Sequence, residues 1–111
     1  MWRQSRIFCS EIYSATAIFP DNEKFGITNQ LRRASISIAS NIAEGSARKS
    51  NKDFSRFLDI AIGSAYEIET QLLISSDLSF ITEEKQIALN QKLESIIKMI
   101  RNFKTTLSKP N

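Results

Sequence analysis

The sequence predicts an all-α fold, an antiparallel up-down four-helix bundle with long helices, on three observations. Apolar residues recur three and four apart over long stretches, the spacing of one helix face. Only three Gly and two Pro interrupt 111 residues, which favours a few long helices over many short strands. Capping and stop residues fall where the apolar stripes begin and end. A chain of this length holds one hydrophobic core, so residues 1–111 form a single domain.

The first helix spans about 2–18. Phe8, Ile12, Ala15 and Phe19 share one stripe, and Phe19-Pro20 ends it because proline pushes the preceding residue out of helical geometry. The second helix spans about 28–45, with Thr28 as N-cap and Leu31, Ala34, Ile38 and Ile42 as its core face. Ser35-Ile36-Ser37-Ile38 alternates like a strand, and only the uninterrupted length of the segment favours helix there. Gly45 reads as the helix stop.

The third helix spans about 51–77 and opens on a Ser50/Asp53 capping pair. Phe54, Leu58, Ala61, Ala65, Ile68 and Leu72 form its seam, and Phe57 and Ile60 widen that face. Gly63, with Ala61, Ser64 and Ala65, makes a small-residue patch that lets another backbone come close. The fourth helix spans about 82–107. Thr82 caps it, Glu83 and Glu84 suit the positive end of the helix dipole, and Lys104 and Lys109 suit the other end. Leu89, Leu93, Ile96, Ile100, Phe103 and Leu107 line its core side, and Ser108–Asn111 reads as a frayed tail.

The third and fourth helices would each extend roughly 40 Å, which makes a slender bundle with much lateral surface. Ile36, Phe57, Ile62, Ile74 and Ile97 lie off the main seams. Part of that surplus is expected to pack against further copies of the chain.

Composition narrows the function classes. There is no histidine to act as a base, and one cysteine cannot build a Cys- or His-type metal site, so no enzyme, metal or cofactor is expected. Cys9 reads as a small buried hydrophobe, and a chain with no possible internal disulfide fits the cytoplasm. No apolar run approaches the roughly 20 residues of a bilayer span, so no membrane is expected.

Charge is uneven. Residues 1–56 carry nine cations against five acids, and the remainder six against seven. Arg48, Lys49, Lys52 and Arg56 cluster between the second and third helices and could contact phosphate. The cluster is read as cations without interleaved aromatics, which gives base stacking no support, and a hydrated rim that keeps the protein soluble would look the same. Arg32 and Lys24 are possible additions to the phosphate set.

A second set of polar residues falls at the core edge: Arg33, Asn41, Glu44, Glu67 and Glu69. A carboxylate there needs a cation, and Arg32 or Arg33 would supply a two-pronged grip. These five are read as a structural polar lock that fixes helix register, with an internal binding pocket as the rival reading.

Trp2, Tyr13, Phe19-Pro20, Glu23, Phe25-Gly26, Arg32-Arg33-Ala34, Asn41-Ile42-Ala43-Glu44-Gly45, Arg48, Gly63-Ser64 and Glu67 through Leu72 together form a specific pattern. In them the chain resembles the four-helix-bundle family of proteins encoded in intervening sequences of 23S rRNA genes. That family includes relatives that serve as accessory proteins of diversity-generating retroelements. The resemblance covers essentially residues 2–107. It departs at Ala39-Ser40, where relatives often carry a proline, and before Trp2, where they carry several more residues. The second helix should therefore be less interrupted and the first short at its start.

The resemblance implies a homo-oligomeric ring, a pentamer, with no enzymatic activity and with nucleic-acid association. The expected partners are other copies of the chain and nucleic acid, structured RNA rather than DNA. A protein such as a reverse transcriptase, docked on a scaffold, is the alternative.

Overall fold

In the computed structural model, which describes residues 1–108, four helices and no strand are found. They are α1 (Trp2–Thr16), α2 (Ile27–Ser46), α3 (Asn51–Asp77) and α4 (Glu83–Ser108). The expected tail lies outside the described residues apart from Ser108, which is helical. The lysine at 109 lies outside them too.

Local chemistry sets the ends. The Ser50 hydroxyl accepts from the Asp53 amide at the start of α3, and Thr82 Oγ1 accepts from the Lys85 amide at the start of α4. The expected start of α2 moves. Thr28 is not the cap of α2 but a buried side chain inside it, with its hydroxyl unpartnered. Gly26 stands at the cap, and the Glu23 carboxylate accepts from the Ile27 amide. A Cβ on Gly26 would lie 2.6 Å from that carboxylate oxygen, so glycine gives Glu23 its room.

The end of α3 uses a device that glycine usually supplies. The Phe80 amide donates to the Ser75 carbonyl and the Ser79 amide to the Ser76 carbonyl, with Ser79 left-handed at φ 62°. That is a Schellman closure built on serine.

The predicted stripes become the core. Phe8 and Ile12 of α1, Leu31, Ala34, Ile38 and Ile42 of α2, Leu58, Ala61, Ala65, Ile68 and Leu72 of α3, and Leu89, Leu93, Ile96 and Ile100 of α4 form one buried cluster. Each fully buried leucine or isoleucine contributes about 1.5–3 kcal/mol. Ser35-Ile36-Ser37-Ile38 is helical, with Ser35 and Ile38 buried and Ile36 outside. Ile97 belongs to the core and Ile62 packs against it, so neither is surplus.

Cross-helix contacts give each residue its neighbours. Ser35 donates to Cys9, and Arg32 reaches Thr16. Ser37 bonds Ser64, and Gln71 donates to Gln30. Asn51 bonds the Leu107 carbonyl, and Arg101 bonds Tyr66. The molecule is slender, 50 × 24 × 19 Å. At one end Asn51 at the start of α3 meets Leu107 near the end of α4. The other end holds segments 17–26 and 78–82, where Phe19 and Phe80 pack 5.7 Å apart.

Candidate nucleic-acid interface

The α2–α3 connection is only four residues long, because α2 runs on through Gly45 to Ser46 and α3 begins at Asn51. Gly45 is therefore no helix stop. It is buried against α3, where an added Cβ would lie 2.8 Å from Phe54 Cδ1 and 2.9 Å from Phe57 Cβ. Glycine lets the end of α2 press onto the first turns of α3. Phe54 turns inward to meet Phe103 at 5.3 Å. Phe57, one position round the helix, stays half-buried at the surface.

All four predicted cations come together here and all are exposed. Arg48 follows α2, Lys49 lies in the connection, and Lys52 and Arg56 stand one turn apart on α3. The Arg48 guanidinium lies 4.7 Å from the centre of the Phe57 ring, and that of Arg56 lies 5.2 Å from it. Aromatics do interleave these cations: Phe54 falls between Lys52 and Arg56 along the chain, and Phe57 lies between Arg48 and Arg56 in space. This corrects the sequence reading.

The counter-charge is slight. Asp53 approaches Arg56 Nε at 4.0 Å, an exposed contact contributing little. Among the described residues Arg48, Lys49 and Lys52 make no ion pair. Asn51, Lys52, Ser55, Arg56, Asp59 and Leu107 line an open groove between α3 and the end of α4, and Lys104 pairs there with Asp59.

The two proposed additions do not join. Lys24 sits in the connection at the opposite end of the molecule. Arg32 is held on α1, donating to Thr16 Oγ1 at 2.9 Å and to the Tyr13 carbonyl at 3.3 Å.

The polar lock is not assembled in the single chain. Asn41 donates to the Ser37 carbonyl and hydroxyl, and Glu67 accepts from Gln71. Arg33 shares a shallow groove with Glu67 between α2 and α3 without pairing with it. Glu44 is exposed. Glu69 lies on the other side of α3, in a groove with Lys98 and Arg101 of α4, and no cation lies within ion-pair distance of it. Helical geometry sends residues two apart to different sides, which separates Glu67 from Glu69. What links α2 to α3 is neutral: Ser37–Ser64 and Gln30–Gln71.

No group of three or more His, Cys, Asp or Glu able to hold a metal occurs among the described residues. No helix among them is long and apolar enough to cross a membrane.

The fold is similar to the crystal structure of a protein of unknown function from the S23 ribosomal protein family of Bacteroides thetaiotaomicron VPI-5482. The likeness has a TM-score of 0.83 and 26% sequence identity over 93% of this chain and 96% of that one. No curated protein matches the chain. The family model described as 23S rRNA-intervening sequence protein matches residues 1–102, and to that family the chain belongs.

Proposed function

We propose that the chain is the protomer, an antiparallel up-down four-helix bundle, of a non-enzymatic ring that binds nucleic acid through its basic end. The carrying observation is the gathering of Arg48, Lys49, Lys52 and Arg56 at one end of a 50 Å molecule, exposed and barely countered by acids. Each phosphate met by one of these cations releases condensed counterions, so affinity falls steeply with salt. A net charge of +3 per chain is modest, and repetition of the patch around a ring raises the local field and the avidity.

Exposed Ile36, Ile60 and Ile74 on the lateral faces support assembly, and the family resemblance supplies about five subunits. The same family favours RNA as the nucleic acid.

Replacing Lys49 and Lys52 together with glutamine should weaken binding to RNA. It should also flatten the slope of log affinity against log salt by about 0.7–0.9 per lost contact. The melt and the mass by light scattering, near five chains, should stay as in the parent. A double variant that binds like the parent would make the patch a solubility rim.

One observation favours a second reading, a scaffold that docks a protein such as a polymerase. At the far end Ile18 and Phe25 are 79% and 86% exposed, beside Leu78 and the acids Asp21, Asp77 and Glu83. Failure of the parent to bind any nucleic acid at low salt would transfer the assignment to this surface.

A further inference from the structure

We infer that Arg48, Phe57 and Arg56 form a stacking site for unpaired bases, so that the basic end takes single-stranded RNA in preference to duplex. The inference rests on the nucleic-acid reading above and adds which form of nucleic acid the end selects.

Its basis is the layering of two guanidiniums on one ring. Arg48 and Arg56 come from different elements, the segment after α2 and the second turn of α3, yet both converge on Phe57 at 4.7 and 5.2 Å. A guanidinium is planar, delocalised and weakly hydrated, so it stacks on aromatic faces and on bases alike. Holding it over a ring removes much of the side-chain freedom that a base would otherwise have to freeze on binding.

The root of the Phe57 side chain is closely backed. Its Cβ faces Gly45, and even one added methyl there would come to 2.9 Å. The end of α2 therefore packs directly against the base of the residue that carries both guanidiniums.

The surrounding charges divide the work. Lys49 and Lys52 are exposed point charges free of ion pairs among the described residues, suited to phosphates. Arg48 and Arg56 present planes, suited to base faces. A duplex hides those faces in its own stack, whereas an unpaired base offers one whatever its identity. The site should thus prefer single strands and tolerate sequence.

The test uses the full chain with a short unstructured RNA carrying 2-aminopurine, and with a duplex of the same length, at low salt. The key variant is R48K/R56K, which keeps both charges and removes both planes. It should lose roughly tenfold in single-strand affinity and the fluorescence change on binding, while duplex affinity and salt slope hold. Phe57→Leu, checked by its melt, should act in the same direction by removing the support. If R48K/R56K binds single strands as the parent does, or the parent shows no preference for them over duplex, stacking is overturned while phosphate binding stands. If the parent binds neither, the nucleic-acid reading falls and takes this one with it.

Discussion

Helix α3 meets α2 on one side and α4 on the other, and the two seams are built from side chains of different size. Toward α2 the contacts are short: Gly45 against Phe57, Ser37 against Ser64, Ala34 and Ala61 in the core between them. Small residues let the backbones approach, and α2 and α3 are the most closely packed pair in the molecule. Toward α4 the contacts are long. Phe54 meets Phe103, Arg101 reaches Tyr66, and Lys104 reaches Asp59.

The difference has a physical lesson. Where glycine and serine close the seam they bring the backbones together and help set distance and register, with the longer Gln30–Gln71 pair meeting beside them. A seam of long polar side chains tolerates change, since exposed partners exchange water for one another at little net gain. The candidate interface stands on the α2–α3 seam, which brings Arg48, just after α2, to the Phe57 ring beside Arg56.

Three substitutions test this contrast. Gly45→Ala should have the largest effect. Its methyl must push Phe54 and Phe57 outward, a cost of about 1–3 kcal/mol that the better helix propensity of alanine offsets only in part. A thermal melt should fall by several degrees, and an unchanged melt would show that the seam is looser than its geometry implies.

Gly63→Ala should be smaller and of opposite sign. Nothing lies within 4 Å of the position of its added Cβ, so alanine should stabilise the chain by about 1 kcal/mol. The sequence had placed Gly63 in a patch for close packing, and within one chain no backbone comes to it. Should Gly63→Ala instead lower the melt or the assembled mass, a second copy packs there and the close approach lies between subunits.

The smallest effect belongs to Glu69→Ala. A buried carboxylate locked to a cation would cost about 3–5 kcal/mol to disrupt. Glu69 instead sits partly exposed in the tolerant seam with no ion-pair partner, so the change in stability should stay under about 1 kcal/mol. A loss of several kcal/mol would restore the lock.

Much of the fold was legible because it depends on each helix alone. The stripes Leu31-Ala34-Ile38-Ile42 and Leu89-Leu93-Ile96-Ile100 are one-helix properties, and all eight residues are buried. The caps at Ser50 and Thr82 were legible for the same reason, since each acts within four residues of itself. The basic cluster was readable as a set, because its members lie close along the chain.

The partners of polar residues were not legible. Arg32 was assigned to a carboxylate and is spent on Thr16 and Tyr13; Glu69 was assigned a cation and has none. Phe57 reads in sequence both as a widening of the core face and as lateral surplus, and neither reading foresees the two arginines it carries on its surface. Gly45 reads as a stop and is a spacer. The sequence by itself determined where the helices run and which face of each turns inward, because periodicity along one helix encodes both. Only the tertiary structure decided which side chain meets which. That choice depends on register and distance between helices, set by a few small residues packed across the seam, and no pattern along one strand of sequence records them.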